Sequence, residues 1–176
     1  ARVVRITSRR SHQQPAAAAG IAKDCRDPLL HPPLDFLLYL SPDSLEIYNL
    51  VSRRVRVVEN APVCRKRPIY GWFEVMKRKM TMCTDEIVSD GEASRYINET
   101  LLHEAAHIAQ ACRVNMTDVK AFGLLRSRTP LSEQRESDLV VASRLSGPNS
   151  YHLEREAFWM EDKPGQVKYV LEKYCF

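Results

Sequence analysis

The sequence lacks any apolar run close to the roughly 20 residues that a membrane-spanning helix needs. Its longest candidate, residues 36–40 (FLLYL), is far too short, so we predict a chain without a transmembrane segment. The 176 residues, 44% of them apolar and 27% charged, are enough for one globular domain with a core that needs no disulfides.

Paired cysteine motifs are also missing. No two cysteines are separated by only two residues, so neither a zinc ribbon nor a thioredoxin-type site is expected. The odd number leaves at least one thiol unpaired, and the cysteine count by itself does not fix the redox compartment. The five are Cys25, Cys64, Cys83, Cys112 and Cys175.

Acidic residues are absent from the first 23 positions, which carry four arginines and one lysine. This composition is typical of a mitochondrial or chloroplast transit segment, and equally of an ordinary flexible terminus. The net charge of +4 is concentrated there, so the remaining chain is near neutral. Without a nucleic-acid-binding signature, we expect no specific nucleic-acid partner. We predict a basic N-terminal arm over residues 1–33 and a compact domain over residues 34–176.

Hydrophobic periodicity predicts an α+β fold. Alternating and β-branched segments near 55–58, 70–75 and 79–83 are typical of strands, and the last two are close enough to pair as a hairpin. Residues 92–114 carry an apolar stripe at three- and four-residue spacing, which predicts a long helix. Further helices are expected at 45–51, 138–144, 150–161 and 165–174, the last two separated by Pro164 and Gly165.

The long predicted helix contains the motif HExxH at residues 103–107. Because residues four apart share one helix face, His103 and His107 can offer their rings to one metal ion. Glu104 lies beside them and is expected to act as general base, taking a proton from water and passing it to the leaving amine. The motif predicts a Zn²⁺-dependent endopeptidase that acts on a protein or peptide substrate. The other interpretation is two surface histidines on an amphipathic helix.

A catalytic zinc ion usually takes three protein ligands and keeps one open position. The third histidine of HExxHxxGxxH is missing here, since Gln110 and Arg113 occupy the last two motif positions. The candidate segment is therefore the later helix around residues 151–158. There Glu154, with Ala157 three residues on, resembles the ExxA segment of gluzincins.

Two other residues of that segment compete with Glu154 for the metal. Glu156 and His152 each lie two residues from Glu154, about 200° around a helix, so neither can face the metal together with it. Glu154 is the preferred third ligand because of the ExxA match, and Glu156 and His152 stay open as alternatives.

Residues 70–113 resemble the mitochondrial processing metalloprotease that matures an ATP synthase subunit in the intermembrane space. The likeness rests on the aromatic and glycine hairpin at 70–73, the strand ending in Cys83, and the pattern HExxHxxQxCR at 103–113. That family typically has Asp at the position of Gln110, and its clustered cysteines and C-terminal half are not matched. The resemblance implies a zincin-like fold, with a small curved β-sheet packed on the HExxH helix and a later helix supplying the third ligand.

Cys83 and Cys112 are candidates for a disulfide because of where the resemblance places them. They mark the strand end and the distal turn of the motif helix, so a disulfide between them in an oxidising compartment is one expectation, and two buried free thiols is the other. The competing function for the whole chain is a structural or assembly subunit of a larger complex, for example an organellar one, that keeps the zincin fold without proteolysis.

Overall fold

The computed structural model describes residues 35–89, 91–147 and 149–176, and the proposed arm at 1–33 lies outside these residues. The described residues form an α+β fold of one three-stranded sheet and seven α-helices. The strands are β1 (Arg56–Glu59), β2 (Gly71–Glu74) and β3 (Lys79–Met82). The helices are α1 (Pro42–Ser52), α2 (Pro62–Lys66), α3 (Thr84–Val88), α4 (Ala93–Cys112), α5 (Glu133–Ser146), α6 (Tyr151–Met160) and α7 (Pro164–Cys175).

The sheet has the order β1-β3-β2, so β2 lies at one edge. β2 and β3 pair antiparallel with Gly71 opposite Met82, which confirms the predicted hairpin, whereas β1 pairs parallel to β3. A short 3₁₀ turn at Val75–Lys77 joins the hairpin, and Arg78 closes it in the left-handed region with φ 44°. The sheet face that carries Phe73, Met80 and Met82 belongs to the main core.

Helix α4 is the centre of the domain. Fifteen of its 20 residues are buried, because the sheet and hairpin cover one side while α1, α6 and α7 cover the others. Small residues such as Ala105, Ala106 and Ala109 let these neighbours approach closely, and they belong to the main core. The prediction of a helix at 92–114 is therefore confirmed to within two residues at each end.

The C-terminal helices follow the predicted order. α6 and α7 match the expected segments, and Pro164 begins α7, where its missing N–H costs nothing. α5 begins five residues before the predicted start at Asp138. The cause is Ser132, whose side chain caps the helix by accepting a hydrogen bond from the backbone N–H of Arg135. Among the described residues, no helix is long and apolar enough to cross a membrane.

The expected pairing of Cys83 with Cys112 is wrong. The disulfides join Cys64 to Cys83 and Cys112 to Cys175. Cys83 lies in a small separate core with Cys64, Ile69 and Trp72, whereas Cys112 ends α4 in the main core and faces the end of α7. The short helix α2, which supplies Cys64, spans only five residues and was not predicted.

Candidate metal centre

Three side chains from two helices converge beside the sheet. His103 and His107 lie one turn apart on α4, and Glu154 lies in the first turn of α6. The Oε2 atom of Glu154 is 3.5 Å from Nε2 of His103 and 3.5 Å from Nε2 of His107. One ligand atom from each residue lies within 4.8 Å of the other two, so the structure brings the two motif histidines and the preferred third ligand together.

The distances at this cluster fit a metal ion better than hydrogen bonds. N–H···O bonds are typically about 2.7–3.2 Å long, whereas two ligands each about 2.1 Å from a tetrahedral zinc ion lie about 3.4 Å apart. The Nε2 atoms of His103 and His107 and both carboxylate oxygens of Glu154 are buried without a hydrogen-bond partner. Buried polar groups are rarely left unpaired, so these facing atoms fit a shared metal ion.

The two rival residues point elsewhere. His152 is exposed on α6, away from the cluster. Glu156 is buried, but its carboxylate accepts hydrogen bonds from Gln110 and from the loop that follows α4. The expected angular separation on the helix explains this, because a residue two positions from Glu154 faces nearly the opposite way.

Each histidine is held at its other ring nitrogen. The Nδ1 atom of His103 donates to the Glu161 carboxylate at 3.1 Å, and Nδ1 of His107 donates to the side-chain oxygen of Gln110 at 2.7 Å. Arg135 of α5 lies 2.8 Å from the second oxygen of Glu161 and fixes that carboxylate in turn. Such partners set the ring orientation and leave Nε2 to face the metal.

The charges of the cluster shift its pKa values in opposite directions. Burial disfavours the charged form of His103, but the nearby carboxylates of Glu154 and Glu161 outweigh it and raise the His103 pKa to about 9. Burial would raise the pKa of Glu154, but His107 and His103 outweigh it and lower that pKa to about 2. The site is therefore an ion-pair cluster whose protons compete with a metal ion for the same atoms.

Glu104 lies next to the cluster without belonging to it. Its side chain is fully buried, neither carboxylate oxygen has a hydrogen-bond partner, and burial raises its pKa to about 8. It lines a pocket with room for about one water molecule. The remaining lining residues are Tyr70, Gly71, Thr100, His103, Phe158 and Glu161.

The chain matches the family described as "Domain of unknown function (DUF8637)" over residues 36–176, which is most of its length. The chain belongs to this family. No curated protein and no solved structure matches it. The geometry of this DUF8637 domain therefore carries the functional argument.

Sequence reasoning missed several groups that shape this DUF8637 site. Gly71 of β2 lies against Glu104, and the ring of Phe158 packs edge-on against His103 with centroids 4.7 Å apart. Glu161 had a usable signal, because it follows Glu154 by seven residues, two helical turns, and so lies on the same face. Gln110 could also have been found from the sequence, since it lies three residues after His107 on α4 and side chains at that spacing are neighbours.

Proposed function

We propose that this domain is a zinc-dependent endopeptidase in which His103, His107 and Glu154 hold the metal. The convergence of their unpartnered Nε2 and carboxylate atoms at 3.5 Å carries the proposal. Two histidines and one glutamate are a donor set found in catalytic zinc sites that keep an open position. A zinc ion bound there supplies Lewis acidity, which polarises a peptide carbonyl and acidifies water at neutral pH.

Glu104 is the group we assign to proton transfer. Its carboxylate faces the same small pocket as His103, and within the described residues neither carboxylate oxygen has a hydrogen-bond partner. A pKa of about 8 lies in the range where a carboxyl group can both accept a proton and return it near neutral pH. Glu104 would take a proton from water during attack and give it to the departing amine.

An extended peptide would bind at the edge strand β2 once residues 71–73, which are buried in this structure, become accessible. Tyr70 accepts a hydrogen bond from the backbone N–H of Cys83, and hydrogen-bonded pairs alternate along an antiparallel ladder. Gly71 and Phe73 therefore direct their backbone N–H and C=O groups away from β3. Tyr70 and Gly71 also line the pocket at Glu104, so a peptide added to this edge would run past the reacting groups.

A zincin-like fold of the gluzincin type is part of the same proposal. The motif helix α4 packs against the hairpin, and the later helix α6 supplies Glu154. Ala157, three residues after Glu154, is buried in the main core. This arrangement agrees with the one implied by the resemblance to the mitochondrial processing metalloprotease. The family match itself names no activity, so the assignment depends on the site.

The test compares wild type with Glu104→Gln, using an unfolded protein as substrate and measuring zinc content in parallel. Glutamine keeps the shape of the side chain but cannot accept the proton. We expect both proteins to bind one zinc ion and the variant to cleave about 10²–10⁴-fold more slowly. Equal cleavage by the two proteins would refute the role of Glu104, and a wild type without zinc would refute the metal centre.

One observation favours the second function, a structural or assembly subunit that retains the metal. His103 is only 3% exposed, His107 and Glu154 are fully buried, and the pocket holds little more than a water molecule. A centre this enclosed leaves little room for a peptide beside the metal, which suits a metal ion that stabilises the fold. Zinc-loaded wild type that cleaves none of a set of unfolded proteins and peptides would favour this function, whereas cleavage that depends on Glu104 would exclude it.

A further inference from the structure

The side-chain amide of Gln110 has only one orientation that satisfies its neighbours. Its Nε2 lies 3.2 Å from the backbone oxygen of Leu153 and 2.9 Å from the Oε2 atom of Glu156. Both of these oxygens can only accept hydrogen bonds, so the NH₂ group must face them. The amide oxygen is thereby turned toward His107, where it lies 2.7 Å from Nδ1.

This orientation determines the tautomer of His107. An amide oxygen is only an acceptor, so Nδ1 of His107 must carry the hydrogen in their bond. In a neutral ring, the lone pair is then on Nε2, the atom that faces Glu154. A reversed amide would offer NH₂ to Nδ1 and favour the tautomer with hydrogen on Nε2, which cannot bind a metal there.

Glu156 is itself held firmly. Its buried carboxylate accepts hydrogen bonds from the backbone N–H groups of Phe122 at 2.6 Å, Gly123 at 2.8 Å and Leu124 at 2.9 Å, in addition to Gln110. Gly123, with φ 86°, has the left-handed conformation that lets successive N–H groups converge on one anion. The carboxylate therefore has four N–H donors and a fixed place beside Gln110.

We propose that Glu156 is a positioning residue that acts through Gln110 to hold His107 in the tautomer able to bind a metal through Nε2. The proposal rests on the metal-binding function proposed above, but its first consequence concerns the metal-free protein. Within the described part of the chain, the hydrogen bonds of the Glu156 carboxylate go to Gln110 and to the loop at 122–124, and none goes to a metal ligand. The negative charge of Glu156, fixed in place by three backbone N–H donors, keeps the amide of Gln110 from turning over.

The test uses Glu156→Leu, which removes both carboxylate oxygens, and two measurements. Long-range ¹H–¹⁵N correlation of His107 in the metal-free protein reports which ring nitrogen carries hydrogen. Zinc affinity is measured by competition with a chromophoric chelator. We expect hydrogen on Nδ1 in wild type, a shift toward the Nε2 tautomer in the variant, and zinc binding about 10–100-fold weaker.

A double-mutant cycle with Gln110→Leu separates positioning from a general loss of structure. Glu156→Leu should weaken zinc binding in the wild-type background and have little further effect when Gln110 is already leucine. Equal effects in both backgrounds would mean that Glu156 acts only by holding the loop, and would overturn the proposal. Glu172→Leu, the same change at an exposed site on α7, serves as control and should bind zinc as wild type does.

The two proposals fail in distinguishable ways. Zinc binding by wild type with an unchanged His107 tautomer and affinity in Glu156→Leu would overturn this inference and leave the metal centre intact. A wild type that binds no zinc would overturn the metal centre, while the tautomer measurement would still decide the role of Glu156. If Glu156→Leu does not fold, Gln110→Leu replaces it, because that variant retains the hydrogen bonds between Glu156 and the loop. His107 of Gln110→Leu should then no longer favour the Nδ1 tautomer. An unchanged tautomer in Gln110→Leu would also overturn the inference.

Discussion

Gly71 of β2 lies so close to Glu104 of α4 that a Cβ atom at position 71 would overlap the Oε1 atom of Glu104. The same Cβ would come within 2.7 Å of Thr100 Cγ2. Both neighbours are buried on α4. The absence of a side chain at Gly71 is therefore what lets the edge strand approach the proposed general base.

The first prediction is that Gly71→Ala damages catalysis while sparing the metal. The added methyl would displace the carboxylate of Glu104, and misplacing a reacting group by about 1 Å can cost on the order of 10²-fold in rate. Overpacking should also lower the free energy of unfolding by about 1–3 kcal/mol. The three atoms nearest to this Cβ belong to Glu104 and Thr100 and not to the metal ligands, so zinc stoichiometry should be retained.

Gly165→Ala is the matched control, because a Cβ at Gly165 would meet nothing within 4 Å. It should leave proteolysis unchanged and shift stability by no more than about 0.5 kcal/mol. Kinetics, zinc content and urea unfolding of the two variants make the comparison. Full proteolytic activity in Gly71→Ala would show that Glu104 does not depend on this close approach.

The second prediction concerns the third ligand. Glu154→Gln removes a charged ligand and should weaken zinc binding by more than the roughly 10–100-fold typical of losing a group that only orients a ligand. His152→Ala changes an exposed residue of the same helix that was a candidate from sequence and should bind zinc as wild type does. Chelator competition checks both, and unchanged affinity in Glu154→Gln would remove it from the metal centre.

The sequence was most informative where a local pattern and the tertiary structure agree. The motif helix, the hairpin and the two C-terminal helices follow from periodicity and from turn residues such as Pro164, and the spacing of His103 and His107 follows from helix geometry alone. The ExxA pattern also predicts Glu154 as a ligand, and its Oε2 atom lies 3.5 Å from Nε2 of both histidines.

Other features depend on contacts between distant segments and could not be predicted. The disulfide partners Cys64 and Cys175 lie on α2 and α7, and which cysteines meet is decided by how those helices pack. α2 and α3 span five residues each, too few for a helical period to be visible. The closeness of Gly71 to Glu104 likewise exists only once the sheet packs on α4.

The third prediction is that the disulfide between Cys112 and Cys175 stabilises the domain more than the one between Cys64 and Cys83. The disulfide between Cys112 and Cys175 links residues that are 63 positions apart, whereas Cys64 and Cys83 are 19 positions apart. In the chain-entropy model these separations correspond to about 4 and about 3 kcal/mol. We expect Cys112→Ala with Cys175→Ala to lower the free energy of unfolding more than Cys64→Ala with Cys83→Ala. Urea unfolding of the zinc-free proteins measures this, and the reverse order would contradict it.

The fourth prediction is that the metal-free protein loses stability as the pH rises. Folding raises the pKa of His103 from 6.5 to about 9 and that of Glu104 from 4.5 to about 8. The folded state therefore binds more protons than the unfolded state between about pH 4.5 and 9, so its stability must fall across that range. Glu154, with its pKa lowered to about 2, acts in the opposite direction only below about pH 4.5. Thermal melting in the presence of a chelator should show this decline.

Zinc should offset the His103 part of this decline, because the metal and the proton compete for His103. At any pH below about 9 zinc must displace the proton of His103, so zinc affinity should rise about tenfold per pH unit up to that value for this one proton. The gain in melting temperature on adding zinc should therefore grow with pH while the metal-free melting temperature falls. Glu104→Gln removes the Glu104 contribution and should leave a metal-free decline confined to about pH 6.5–9, the window of His103. A metal-free melting temperature that does not change with pH would show that neither His103 nor Glu104 carries the proton assigned to it.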